Sequence, residues 1–358
     1  RNTPAVMIDF ISARIKLPRP LPVPVNGGLF VRFDEHGEVE RTTALRKRVV
    51  GSHETALQIR APGVHELEVT GNPVKFVQGH NLWGTSCPVT ALWAAMVRLE
   101  ALGALPVPLR ALGLLGPSTL AESAEFSRVD CTAMLLADRW FDVETVLRSL
   151  RVAGRLRDRG ASGLPYPWPE SQGGGVTFGG RPGQSARHRQ LVFYAKGKEV
   201  KVHPLPECIG DDPQLNEWLA RCLRCEVRLG TNYLRKRGLR APAMWTEERA
   251  GMEWTEMMER MDMNGSEERP EALAGLPPRL KAAYGAWLAG MDPQSIFPRS
   301  TFYDYRRDIL KALAVDIAIP RQSEPSAEIV PFRRVIELRP AGRPDFADRI
   351  DALLASNG

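Results

Sequence analysis

Three apolar, strand-like runs in this chain each enclose a lone carboxylate: Glu68 in Leu67-Glu68-Val69, Asp130 closing Arg128-Val129-Asp130, and Glu226 in Cys225-Glu226-Val227. A further run, Gln190-Leu191-Val192-Phe193-Tyr194-Ala195-Lys196, ends in a phenol with cations on both sides. Short apolar runs between turn signals read as strands, and a charge inside such a run is costly unless it is paired or bound. These strands constrain the fold more than any other feature. They call for a shared sheet that carries a polar site.

The rest of the chain supplies helices between them. Residues 7–75 read as strands, with Ile8–Ile11, Gly28–Phe33 and Glu66–Val69 set between Pro/Gly punctuation and a hairpin at Asp34–Gly37. Residues 87–113 have helical periodicity, Phe126–Thr132 returns to strand, and Trp140–Ala153 places Phe141, Val143, Val146, Leu147 and Leu150 on one face. After the Gly/Pro-rich segment 160–184 come the tyrosine strand, a helix predicted over 213–224 and a strand over 225–229. This interleaving points to an α+β domain built on one sheet. Past about residue 240 the texture becomes helical, with 244–263 rich in Met, Trp and Glu, and the last 40 residues mix short apolar runs with Pro and Arg. No internal repeat is present.

Charge and cysteine usage narrow the class. The balance of 48 Lys+Arg against 42 Asp+Glu, a formal +6, permits a polyanionic partner such as nucleic acid. Five scattered cysteines with no secretory pattern argue against a disulfide framework and for a reducing, cytoplasmic setting. No apolar run approaches the roughly 20 residues of a membrane span. Met7 reads as a natural start, so residues 1–6 are set aside as upstream read-through or a cloning remnant.

Tyr194 is the candidate nucleophile. A phenol has an ordinary pKa near ~10, so attack on phosphorus needs nearby cations or a metal. Lys196, expected two residues on along the same strand face, and Arg187, His188 and Arg189 before it fit that need. The plainer alternative is a half-buried strand tyrosine with a hydrogen-bonded hydroxyl. The six histidines include no His-hydrophobic-His pair, so a metal would rest on carboxylates. Glu68, Asp130 and Glu226 could together hold Mg²⁺ or Mn²⁺, while Arg128 and Arg224, each two residues before its carboxylate, could instead form salt bridges with no metal. Cys222 and Cys225 lack a second pair at zinc spacing, and zinc is rejected. The turn-rich segment GNPVKFVQGHNLWG, with Lys75, His80 and Asn81, is a loop that could hold backbone amides against phosphate.

The ordered blocks GNPVKFVQGHNLWGTS, SRVD, SARHRQLVFYAKGKEV, LRCEVRLGTNYLRKRGL and IVPFRRV with RPDF closely resemble the replication initiation proteins of filamentous bacteriophages, the gene II/X family. The resemblance covers most of the chain from Met7 onward. It implies a rolling-circle initiator fold: a central, mainly antiparallel sheet flanked by helices, then a helical C-terminal region. It also implies a site-specific endonuclease and strand transferase that nicks the viral strand of the double-stranded origin through a 5′-phosphotyrosine. The displaced single strand is later closed into a circle. Tyr194 takes the nucleophile's role with Lys196 beside it; His80, Arg187 and His188 match family positions; and Glu68, Asp130 and Glu226 match acidic positions to which the metal is assigned. No Walker loop is present, consistent with a helicase and a DNA polymerase borrowed from the host. The stretch 241–330 matches the family poorly.

The expected division is a catalytic region over 7–240, a helical region over 241–318 and a C-terminal segment over 319–358. Residues 279–313 read as helix, turn, helix, with Tyr284, Trp287 and Leu288 packing the first helix and Phe302, Ile309 and Leu310 facing inward on the second. Arg299, Tyr303, Arg306 and Arg307 are then exposed for a DNA groove; a helical hairpin packed on the sheet is the equal alternative. From a different functional class, the competing reading of the whole chain is a non-catalytic phage DNA-binding regulator of replication.

Overall fold

The computed structural model describes residues 5–51, 53, 55–156, 165–169, 171, 173–180, 188–262, 276–288, 291–313, 316–318 and 339–357. Its centre is a ten-stranded sheet. The strands, in chain order, are β1 (Val6–Lys16), β2 (Leu29–Phe33), β3 (Val39–Ala44), β4 (Lys47–Val50), β5 (Ala56–Gly63), β6 (Glu66–Gly71), β7 (Ala124–Leu136), β8 (Arg155–Leu156), β9 (Tyr166–Pro167), β10 (Val176–Phe178), β11 (Arg189–Ala195), β12 (Cys222–Gly230), β13 (Met261–Asp262) and β14 (Arg339–Pro340). The spatial order is β4-β5-β6-β1-β7-β12-β11-β10-β9, with β14 added to the end of β7 and every described pair antiparallel. β2 and β3 form the expected hairpin, whose turn is held by the Asp34 carboxylate accepting from the His36 and Glu38 amides.

Strand alternation separates two faces. One face buries Ile11, Ile15, Val69, Val129, Cys131, Leu191, Phe193, Cys225 and Val227 against the helices Pro88–Ala101, Trp140–Ala153 and Arg249–Met258. The other face is polar at its centre, carrying Asp130 and Thr132 on β7, Arg224, Glu226 and Arg228 on β12, and Tyr194 on β11. A smaller apolar cluster covers the end of this second face: Met7, Met134 and Cys222 meet Leu215 and Leu219 of the helix Pro213–Ala220 and Ile350 and Leu354 of the helix Ala347–Asn357. The α+β class and the flanked antiparallel sheet are therefore as expected.

Several boundaries differ from the sequence reading, each for a local reason. The predicted helix 87–113 ends at Ala101 because Gly103 and the prolines of Leu105-Pro106-Val107-Pro108 break it, and only a 3₁₀ turn at Leu109–Leu112 follows. The predicted loop around Lys75 is a short helix, Pro73–Gln78, capped by the Asn72 side chain accepting from the Lys75 amide at 2.8 Å and closed by Gly79 at φ +86°. The predicted helix 213–224 stops at Ala220, so Cys222, Leu223 and Arg224 belong to β12. Conversely, the tyrosine strand stops at Ala195, and Lys196 opens the helix Lys196–Val202. Gly197 lets that helix sit against the helix Pro213–Ala220, since a Cβ there would fall 2.9 Å from the Ala220 Cα. Val6, set aside with residues 1–6, is a buried part of β1 and pairs with Ala133.

The helices Pro278–Leu288 and Arg299–Leu313, joined through the short helix Pro293–Ile296, share a third cluster built on Leu280, Ala283, Tyr284, Phe302 and Ile309, so the inward positions Phe302 and Ile309 are as expected. The side chain of Leu310 lies outside the described residues. All five cysteines are free thiols, and Cys222 and Cys225 lie in different apolar clusters on opposite faces of the sheet. Among the described residues, no helix is long and apolar enough to cross a membrane.

Candidate active site

The polar face is organised by register. Antiparallel pairing sets Tyr194 opposite Arg224 and Gln190 opposite Arg228 across β11 and β12, and sets Glu226 opposite Thr132 and Arg228 opposite Asp130 across β12 and β7. Directly opposed residues share a face, so the phenol, the carboxylates and the guanidiniums meet on one surface. Tyr194 donates its hydroxyl to Glu226 Oε1 at 2.5 Å. The same carboxylate receives Arg224 Nε at 3.2 Å and Arg228 Nη2 at 2.9 Å.

Arg224 extends this group to β1. Its Nη2 lies 2.6 Å from Asp9 Oδ1, and its Nη1 donates to the Asn81 carbonyl at 2.6 Å. Asp9 is the extra residue of a β-bulge, since Ile8 pairs with Cys131 and Phe10 with Asp130, and the bulge turns its carboxylate into the site. Asn72 and Asn81 donate to Asp9 Oδ1 at 2.6 and 2.8 Å. Asn81 also accepts from Lys196 Nζ at 3.2 Å, and Lys196 pairs with Glu199 at 2.6 Å. A continuous polar chain thus runs from Lys196 through Asn81, Asp9, Arg224 and Glu226 to Tyr194.

All of it is buried except the half-buried Asn81. Tyr194 is 5% exposed, and Trp168 stacks on its ring with centroids 5.6 Å apart. Burial pushes the phenol well above its ordinary value, and the nearby Arg224 only partly opposes this. Burial would likewise raise the Glu226 carboxyl, but the Arg228 and Arg224 guanidiniums and the Tyr194 hydroxyl outweigh it and hold it at about 2. Lys196 is pushed down by burial, with Glu199 opposing. At rest the site therefore holds a neutral phenol against an ionised carboxylate. An entering phosphate that draws the guanidiniums to itself would strip Glu226 of its partners and make it a stronger base toward that phenol.

The predicted site residues separate. Tyr194, Lys196, Glu226 and Asn81 share the network described above. Asp130 adjoins it: Arg128 holds it in a bidentate pair at 2.8 and 2.5 Å, and Arg228 Nε lies 3.8 Å away. The salt bridges suggested by the Arg128 and Arg224 spacing are thus both present.

Glu68 stands apart. It is held by Arg14 at 3.0 Å, Arg60 at 2.6 Å and Arg46 at 3.7 Å. Its register partner Arg14 is four positions along β1 from Phe10, the partner of Asp130, roughly 13 Å at 3.3 Å per residue. The expected ligand set Glu68, Asp130 and Glu226 does not converge, and each member is already neutralised by arginine. Among the described residues no group of three His, Cys, Asp or Glu side chains is placed to hold a metal ion. Those three residues do not fit Mg²⁺ or Mn²⁺.

Of the remaining candidates, Arg187 lies outside the described residues. His188 is exposed just before β11, six residues from Tyr194 and so roughly 20 Å away along the chain direction. His80 is fully buried, its Nε2 3.1 Å from Asp351 Oδ1 on the helix Ala347–Asn357, and it cannot touch DNA in this arrangement. Burial pushes its imidazole down although Asp351 opposes. Lys75 is half-buried on its short helix. On the helix Arg299–Leu313, Arg299, Tyr303 and Arg307 are exposed as expected, Arg307 also pairing with Asp304 and Asp308 at 2.9 and 3.0 Å, while Arg306 is half-buried and tied to Asp316 by two contacts of 2.6 Å. Sequence reasoning missed Asp9, Asn72, Trp168 and Asp351. A carboxylate in the apolar run Ile8-Asp9-Phe10-Ile11 was the one available signal, of the same kind that marked Glu226.

The fold and site define an antiparallel-sheet protein with a buried tyrosine set in an arginine and carboxylate network on one sheet face. Residues 7–248 match the family profile of the N-terminal region of the phage replication-associated protein of the gene II type, and residues 279–349 match the profile of that protein's C-terminal region. The chain belongs to this replication-associated protein family. It is 28% identical to the replication-associated protein of the same type from Enterobacteria phage I2-2, across 96% of this chain and 97% of that one. Among solved structures, a rolling circle replication initiator protein from Geobacillus stearothermophilus is similar over 74% of this chain and 90% of its own, with 10% identity and a TM-score of 0.33.

Proposed function

We propose that this protein initiates rolling-circle replication of phage DNA by nicking the viral strand at the origin through Tyr194 and later rejoining the displaced strand. The observation that carries the reading is the Tyr194–Glu226 hydrogen bond of 2.5 Å inside a cluster of guanidiniums. Membership of the phage replication-associated protein family supplies the replication context. Trp168 moves off the phenol as the strand enters. The scissile phosphodiester takes Arg224 and Arg228 from Glu226, because guanidinium binds phosphate in a bidentate fork.

The step then balances as a transesterification. Tyr194 Oη forms a bond to phosphorus, the bond from phosphorus to the 3′ oxygen breaks, and the phenolic proton passes to Glu226 and on to the departing 3′ oxygen. The guanidiniums and Lys196 stabilise the added negative charge of the transition state. Because the phosphotyrosine keeps the ester's energy, the reverse attack by a 3′-OH closes the strand without ATP. The metal that the family resemblance implies has no place on Glu68, Asp130 and Glu226, and no step is routed through it. Host helicase and DNA polymerase would act on the nicked product.

The test is to incubate the protein with supercoiled phage replicative-form DNA and look for a protein–DNA species that survives denaturant. Its formation supports the nickase. Binding to the origin with no covalent species would instead favour the non-catalytic regulator.

A further inference from the structure

A cavity of about 240 Å³ opens beside the Tyr194 network, between the polar sheet face and the C-terminal segment. Leu82, Trp83 and Met134 give it apolar walls, while Thr132, Arg343 and Asp351 contribute polar groups. Thr132 faces Glu226 directly across the β7–β12 pair, so the cavity adjoins the acceptor of the tyrosine's hydrogen bond. Its hydroxyl is fully buried yet has no hydrogen-bond partner among the described residues. Such a hydroxyl carries an uncompensated desolvation cost, which a valine of the same shape would avoid.

The lining also states what it can hold. Arg343 Nη2 donates to Asp351 Oδ2 at 2.7 Å, so these two charges largely cancel. A phosphate or a bare cation gains little there. The volume equals roughly eight waters at about 30 Å³ each, enough for one flat ring system and too small for a base pair. A neutral group with apolar faces and a hydrogen-bonding edge is a nucleobase, and enzymes acting on a strand commonly hold one out of the stack.

We infer that this cavity receives one unstacked base of the DNA strand next to the phosphate attacked by Tyr194, with the Thr132 hydroxyl bonding the base edge. The inference rests on the proposed nickase reading for its choice of ligand. It gives the C-terminal segment a part in reading the origin strand, because Arg343 and Asp351 form one wall.

The experiment uses the full chain carrying Tyr194→Phe, so that binding is measured without cleavage. Single-stranded oligonucleotides covering the protein's footprint on the viral-strand origin carry one abasic position at a time. One position beside the nick is expected to lose about tenfold in affinity when abasic. Adding Thr132→Val should lower binding of the intact strand to that level and abolish further loss at that position, while leaving thermal stability equal or higher. Retained abasic sensitivity in the valine variant, or no sensitive position at all, overturns the inference. The outcomes separate the two claims: a wild-type adduct without abasic sensitivity sinks only the base pocket, and sensitivity abolished by Thr132→Val without an adduct sinks only the nickase.

Discussion

Tyr194 on β11 and Glu226 on β12 are joined at 2.5 Å although their positions in the ladder are offset by two residues, with Tyr194 opposite Arg224 and Val192 opposite Glu226. The phenol reaches diagonally past its own partner to the carboxylate that two arginines share. In the proposed mechanism this diagonal hydrogen bond is the path of the phenolic proton. Glu226→Gln keeps the shape but removes the acceptor's charge. The expected outcome is a fall of about 10²-fold or more in the rate of adduct formation, with origin binding within a few fold, read by single-turnover kinetics and filter binding.

Glu68 provides the contrasting case. Its arginine partners lie on β1, β5 and the segment before β4, remote from the tyrosine. Glu68→Gln is expected to lower stability by about 1–3 kcal/mol in denaturant unfolding, through lost charge-assisted hydrogen bonds. Adduct formation should stay within about twofold, and a loss matching that of Glu226→Gln would restore Glu68 to the site.

Trp168 caps the phenol, and its indole donates to Thr177 Oγ1 at 2.8 Å. Trp168→Ala should expose Tyr194. Tetranitromethane nitration followed by peptide mapping would show Tyr194 modified in the variant and protected in the wild type.

The carboxyl of Glu226 fixes a pH signature. Its folded-state pKa of about 2 lies below the ordinary 4.5, so the stability it contributes is fully present above about pH 4.5 and is lost as pH falls toward 2. Glu226→Gln should therefore show a shallower decline of unfolding free energy over that window than the wild type does. Equal slopes would mean that the arginines do not hold the carboxylate ionised.

Much of the sheet was legible because β7, β11 and β12 carry apolar runs, and the nucleophile candidate stood out as a phenol in such a run. Arg224 was misplaced because Pro213-Gln214-Leu215-Asn216-Glu217-Trp218-Leu219-Ala220 has helical periodicity that continues past its true end. Pairing on both sides, of Cys222 and Leu223 with Leu136 and Leu135 and of Leu223 and Arg224 with Ala195 and Tyr194, pulls the following residues into the strand. Asp9 enters the site through a bulge, which has no periodic signature. Glu68 does not join the other two carboxylates because of position both along and across the sheet: periodicity says which face a residue takes, but neither its register nor that β1 lies between β6 and β7. The contact of Asp351 with His80 joins positions 271 residues apart and depends wholly on tertiary docking.

If Tyr194 is the group that becomes joined to DNA, a phosphate label must end up on it. Wild-type and Tyr194→Phe proteins, incubated with supercoiled origin DNA radiolabelled in its phosphates and then denatured and digested with nuclease and trypsin, test it directly. The wild type is expected to yield a labelled phosphotyrosine peptide containing Tyr194, and the variant no labelled peptide. A labelled adduct of undiminished yield in Tyr194→Phe would contradict that role for Tyr194.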